Sequence, residues 1–154
     1  MVGPLKPKCA NCKLWRVISQ WLGTPFRYGG KTPQIAADCT TFPLLVMEGV
    51  GALPKGYWRE VYEPSKWKRG KIDVDYLVEK FKDYAEFVEA PTRCGDAQVL
   101  FNLSTRRLHI RISLPDNLVV EALPDLGVVI GADTVQGPRG FLATLRFFDW
   151  GCER

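Results

Sequence analysis

Two side chains in this sequence could work as a nucleophile and its base, Cys39 and His109. Cys39 follows Asp38 at the end of a turn-forming stretch that holds Gly23, Pro25, Gly29, Gly30 and Pro33. It precedes a hydrophobic run over 42–50 that is long enough for a helix. At a helix start, unpaired N–H groups and the positive end of the dipole favour a thiolate, which is the nucleophilic form of cysteine. Asp38 is of a residue type that caps such N–H groups. A thiol of this kind needs a base, and the chain has one histidine. A cysteine in an approach loop and a histidine far downstream on a strand-like segment fit covalent acyl-transfer chemistry, with the pair brought together by folding.

The elements that must position this pair can be read from periodicity. Leu14, Val17, Ile18, Trp21 and Leu22 recur at helical spacing over 13–22, and Gly23 stops the run. The segment 42–50 is apolar nearly all round, as a helix at the centre of a fold would be. A further amphipathic helix is predicted over 74–84, with Asp73 as its cap. Residues 54–72 have no clean period and read as a long ordered loop. From 87 the period becomes two, and strands are predicted over 86–90, 97–103, 107–114, 117–123, 127–132 and 142–148. A helical first half and a stranded second half give an α+β fold, with helices packed on one antiparallel sheet of five or six strands.

Two local details bear on the pair. Pro43 lacks an N–H, so it breaks a backbone bond if the helix starts at Asp38. It sits in the first turn if Thr41 is the cap, and Cys39 then lies just before the helix. In 107–114, Leu108, Ile110, Ile112 and Leu114 alternate with Arg107, His109, Arg111 and Ser113, which puts His109 on the polar face. A merely exposed histidine is the plain alternative.

The segment Gly23-Thr24-Pro25-Phe26-Arg27-Tyr28-Gly29-Gly30, followed by Thr32-Pro33, Asp38-Cys39, Gly51-x-Leu53-Pro54, Gly95-Asp96 and His109-Ile110, resembles the ordered motifs of the NlpC/P60 cysteine peptidases. The similarity runs from about residue 14 to about residue 130. It implies a papain-like α+β domain spanning 1–154, with 1–12 as a poorly structured N-terminal segment. It also implies hydrolysis of peptidoglycan stem peptides at the D-γ-glutamyl bond to the diamino acid, without a cofactor or a metal.

By the same resemblance Cys39 attacks, His109 moves the proton, and Asp38 and Thr40 hold the substrate's free amino end. Phe26 stands where the family has a substrate-contacting tyrosine, a role that Tyr28 could take over. Arg111 stands where the family has a small residue, so it is expected to narrow the cleft or to bind a substrate carboxylate. Glu121 occupies the place of the third, base-orienting residue. A loop over 114–116 would set it opposite His109, and one over 115–117 would set it opposite Arg111 and diagonal to the histidine. The plain alternative for Glu121 is a surface pair with Arg111.

Composition sets outer bounds. The chain has 154 residues, 46% hydrophobic and 25% charged, with a net charge of +4, as in an ordinary globular protein of one domain. No stretch approaches the roughly 18 apolar residues that a membrane span needs. Residues 1–13 lack a secretory signal pattern, so arrival at the cell wall is expected as part of a virion or tail, or after lysis. The short chain most resembles phage-tail and prophage members, which makes tail proteins candidate partners. Lys66, Lys68, Arg69 and Lys71 lie beside Trp58 and Trp67 and read as a solvated loop or an anionic-glycan contact; no nucleic-acid partner is expected. Five cysteines suit a reserved thiol better than a disulfide framework. Cys9 and Cys12 form a CxxC, but Cys94 and Cys152 are too isolated to complete a closed zinc site by spacing. The rivals are a weakly active or inactive tail-binding module on the same fold, favoured by Phe26, Thr41, Pro43 and Arg111, and a papain-like acyltransferase.

Overall fold

The computed structural model describes residues 13–61, 74–89, 92–102, 107–134 and 139–148. Among the described residues four helices precede most of the sheet: α1 (Lys13–Trp21), α2 (Thr41–Gly49), the short α3 (Trp58–Val61) and α4 (Val74–Phe81). A two-stranded ribbon, β1 (Lys31–Thr32) with β2 (Ala36–Ala37), lies between α1 and α2. The main sheet holds β3 (Ala85–Val88), β4 (Ala97–Asn102), β5 (Arg107–Leu114), β6 (Leu118–Leu123), β7 (Gly127–Ala132) and β8 (Arg139–Phe147). Its order is β3-β8-β4-β5-β6-β7, with every neighbouring pair antiparallel. The fold is α+β, as the change of period predicts.

The helices supply an apolar layer over one face of the sheet. α1 buries Leu14, Trp15, Ile18 and Trp21, and α2 buries Phe42, Leu44, Val46 and Met47. The Trp21 and Phe42 rings meet edge to face at 5.8 Å, which fixes the two helices together. Phe42 is wholly buried, a contribution of about 1.5–3 kcal/mol from its side chain alone. Opposite them, cross-strand pairing aligns Leu145, Ala97, Ile112 and Val120, all of them core residues.

The alternate residues, Gln98, His109, Arg111, Ser113, Glu121 and Thr144, point to the other face. They too are buried. The sequence reading took this face as polar, with an exposed His109 as the alternative. It is polar and covered, because its side chains satisfy one another.

The six predicted strands are present, with shifted ends. β6 starts at Leu118 because Asp116 and Asn117 take left-handed backbone angles in the turn, at φ 65° and 58°. β8 starts at Arg139 rather than 142. The ribbon β1–β2 and helix α3 were not anticipated, and α3 lies in the part of the 54–72 loop that is described. The remainder of that loop, with Lys66, Trp67, Lys68, Arg69 and Lys71, lies outside the described residues, as do Asp73 and the segment 1–12.

Candidate active site

The segment before Cys39 is shaped by backbone pairing. Arg27 N–H donates to the Ala37 carbonyl at 2.9 Å and Ala37 N–H to the Pro25 carbonyl at 3.0 Å, while Phe26 and Ala37 form a parallel bridge. Gly29 has φ +78°, a conformation that side chains disfavour, and a Cβ on Gly30 would fall 2.6 Å from Ala36 and from the Ala37 nitrogen. These two glycines let the loop close against β2 and deliver Asp38 to the start of α2.

Asp38 then acts as the cap. Its Oδ1 accepts from the N–H groups of Thr40 at 2.9 Å and Thr41 at 2.7 Å, and its Oδ2 from Gly29 N–H at 2.8 Å. Thr41 Oγ1 accepts from Asp38 N–H at 3.1 Å and donates to the Gly30 carbonyl. The reciprocal bonds of Asp38 and Thr41 have the form of a capping box, set two residues ahead of the regular helix's cap position. That helix starts at Thr41, with Thr40 at the cap position and without a capping bond from its own side chain. Pro43 falls in the first turn, one position further in than with Thr41 as the cap, and the i→i−4 bond it cannot donate is the one to the Cys39 carbonyl.

This arrangement bears on two expected roles. Asp38 is buried, and both of its carboxylate oxygens accept from backbone N–H groups, so it shapes the start of α2. Thr40 is likewise buried, with Oγ1 3.9 Å from the Cys39 sulfur. It is a neighbour of the thiol rather than an exposed contact.

The thiol reaches the strand that carries the histidine. Cys39 Sγ lies 3.7 Å from the carbonyl oxygen of Leu108, the residue before His109. On the next residue, His109 Nε2 is 2.6 Å from Glu121 Oε1, with each side chain 9% exposed. With a carboxylate on Nε2, Nδ1 is the ring nitrogen that can exchange a proton with the thiol.

The carboxylate arrives by the longer of the two routes that the sequence allowed. Leu114 pairs with Leu118, so the loop is 115–117, and the register runs Ser113↔Val119 and Ile112↔Val120. There the β5–β6 ladder ends, although β5 extends back to Arg107 and β6 on to Leu123. Glu121 crosses this parting of the strands to the diagonal His109.

Arg111 is bonded within the chain at three points. It is 1% exposed at its side chain, with Nε donating to Gln98 Oε1 at 2.8 Å, an Nη to the Thr134 carbonyl at 2.8 Å and an Nη to Asp133 Oδ1 at 3.0 Å. Gln98 Nε2 in turn donates to Ser113 Oγ and to both oxygens of Asp133 at 3.0–3.1 Å. One carboxylate at Arg111 is the chain's own Asp133. Sequence reasoning missed Asp133 and Gln98; the polar Gln98 in an otherwise apolar strand was the available signal. On the same face Arg146 pairs with the fully buried Asp96 at 2.8 Å, and that hydrogen bond raises the guanidinium above its ordinary value.

Phe26 and Tyr28 form an edge-to-face pair with ring centroids 5.1 Å apart. Phe26 packs against the core, whereas Tyr28 is 55% exposed. A cavity of about 570 Å³ lies elsewhere, at the C-terminal half of α2, lined by Val17, Trp21, Lys31, Leu45, Glu48 and Lys55 among others. Cys94 is half-buried, and Cys9, Cys12 and Cys152 lie outside the described residues. Among the described residues no group of three His, Cys, Asp or Glu side chains is placed to hold a metal ion. No described helix is long and apolar enough to cross a membrane.

No protein-family model matches the chain, and no curated protein matches it significantly in sequence. Among solved structures it is similar to the NlpC/p60 domain of the peptidoglycan hydrolase SagA, with a TM-score of 0.48 and 20% identity over 78% of this chain and 86% of that one.

Proposed function

We propose that this chain is a papain-like cysteine peptidase or amidase of the NlpC/P60 kind, acting on peptidoglycan stem peptides. The observation that carries the reading is the seating of the Cys39 thiol on the Leu108 carbonyl, one residue before His109, with Glu121 bonded to Nε2 of that imidazole. The motifs from Gly23 to His109 add the substrate class and the scissile bond, D-γ-glutamyl to diamino acid.

Cys39 gives its proton to His109 Nδ1 and its sulfur attacks the substrate carbonyl. The backbone N–H of Cys39, at the head of α2, stabilises the oxyanion that forms. His109 then protonates the departing amine, leaving a thioester, and next draws a proton from water as that water releases the acyl group. Glu121 fixes the ring and stabilises it while it is charged. Tyr28, the exposed aromatic ring before the nucleophile, is the side chain to contact the substrate, with Phe26 supporting it. Residues 1–154 act as one such domain, reaching the wall as a component of a phage or prophage tail or after lysis.

Incubating the protein with purified stem peptides and identifying products by mass spectrometry tests the reading. Cleavage at the γ-glutamyl bond that is lost in Cys39→Ala is the expected result. Binding without cleavage would instead identify a tail-associated binding module on this fold.

A further inference from the structure

The cavity of about 570 Å³ at the C-terminal half of α2 is walled by α1, α2, the ribbon and the segment that follows α2. Each wall is fixed by the chain. α1 and α2 come so close where both line the cavity that a Cβ on Gly49 would lie 2.8 Å from Val17 Cγ1. The ribbon is pinned to the end of α1 by Gln34, whose Nε2 donates to the carbonyls of Gln20 at 2.7 Å and Leu22 at 3.0 Å. The segment after α2 is pinned by Glu48, whose carboxylate accepts from Gly56 N–H at 2.6 Å and Trp58 N–H at 2.9 Å. A concave space of this volume, formed before any ligand arrives, is the usual shape of a small-molecule site.

Its charge selects the ligand. Lys31 and Lys55 both line it, and among the described residues neither ammonium has a carboxylate partner. Lys31 Nζ is steadied instead by the Trp58 ring, 5.2 Å from its centroid. Glu48 is the one acid in the lining, and both of its oxygens are taken up by the backbone N–H groups just named. Val17, Trp21 and Leu45 make the remaining wall apolar. Two ammonium groups are point charges that suit a phosphate or a carboxylate, and an apolar wall suits the C–H face of a ring.

We propose that this cavity binds an anionic sugar, a pyranose ring carrying a phosphate or a carboxylate, with the anion on Lys31 and Lys55 and the ring against Trp21 and Leu45. The choice of a sugar over other anions of that size rests on the reading of the chain as a wall hydrolase. The cavity is separate from the thiol. Leu45 to Gly49 lie about 6–12 Å along α2 from its first residue, and the ribbon that supplies Lys31 leads from Tyr28 to Cys39. A wall polymer presented to Cys39 is thereby held at a second point.

Amide shifts of labelled protein, titrated with N-acetylglucosamine 1-phosphate and with glucuronic acid, test this. At least one should move the amides of residues 31–34, 45–49 and 55–58, and the tighter of the two identifies the anion. Uncharged N-acetylglucosamine, inorganic phosphate and acetate should each bind about tenfold more weakly, since each lacks one half of the recognition. Lys31→Met/Lys55→Met should weaken the acidic sugar about tenfold as well. Lys80→Met/Lys82→Met, an equal loss of charge outside the lining, should leave its affinity unchanged.

The proposal is overturned if neither acidic sugar moves these amides, if inorganic phosphate or acetate binds as tightly as the sugar, or if the two double variants behave alike. Lys31 and Lys55 are exposed, so their variant should fold; if it does not, the comparison of probes decides alone. None of these measurements needs turnover. A protein that binds the sugar but cleaves no stem peptide would remove the peptidase reading and leave the site. Cleavage without sugar binding would remove the site and leave the peptidase.

Discussion

Glu121 bonds His109 at 2.6 Å although the two residues are not cross-strand partners. The bond depends on the parting of β5 from β6 beyond Ile112↔Val120, which lets a diagonal carboxylate reach the ring. Glu121→Gln keeps the shape and removes the charge that stabilises the imidazolium. It should leave the unfolding midpoint close to wild type and lower kcat by about 10²-fold, within the range that general acid–base groups supply. Steady-state rates on stem peptides beside urea unfolding curves check this, and unchanged rates would take Glu121 out of the mechanism.

Cys39 should be the one hyper-reactive thiol. Iodoacetamide at mildly acidic pH should label it ahead of Cys94, and ahead of Cys9, Cys12 and Cys152, because the Cys39 sulfur is seated on the carbonyl of the residue before His109. His109→Ala should abolish the preference. Peptide mapping after timed labelling gives the answer; several cysteines reacting alike would refute activation.

Asp38 should matter for stability before it matters for substrate. Asp38→Ala strips acceptors from three buried or half-buried backbone N–H groups, those of Gly29, Thr40 and Thr41. A loss of about 2 kcal/mol or more is expected, with a smaller loss for Asp38→Asn, which keeps one acceptor oxygen. Denaturant unfolding measures both. A stable Asp38→Ala with a raised KM would return Asp38 to the substrate.

Arg111→Ala should behave as a core defect. It leaves Asp133 and Gln98 without their cation and opens space on the covered face, a cost of about 3–5 kcal/mol by analogy with other broken buried pairs. KM should change little in whatever fraction remains folded. The opposite pattern, full stability with weakened substrate affinity, would place the guanidinium in the cleft after all.

The parts of this fold that were legible in sequence are those with a period. Residues 107–114 and 118–123 alternate so regularly that the face shared by His109 and Glu121 followed from the chain alone, and the choice between two loop registers was settled by the left-handed residues Asp116 and Asn117. What alternation cannot say is whether a polar face meets water or meets itself. Gln98, Arg111 and Ser113 read the same either way, and Asp133, which Gln98 and Arg111 share as a partner, follows a different strand. The two-residue strands β1 and β2 and the single turn α3 are too short to carry a period. Asp38 beside Cys39 had two physically sound uses, a cap or a substrate contact, and only the backbone path of Gly29 and Gly30 distinguishes them.

The parts of the site are separated very unequally along the chain. His109 and Glu121 are twelve positions apart on one hairpin, whereas the contact of Cys39 with Leu108 spans sixty-nine. Closing the short loop is entropically easier than closing the long one, and hairpins form in roughly 1–10 μs. The imidazole–carboxylate unit can therefore assemble while the thiol is still distant. A nascent or partly unfolded chain keeps its cysteine away from its base, so the nucleophile gains its power with the last long-range closure of the fold.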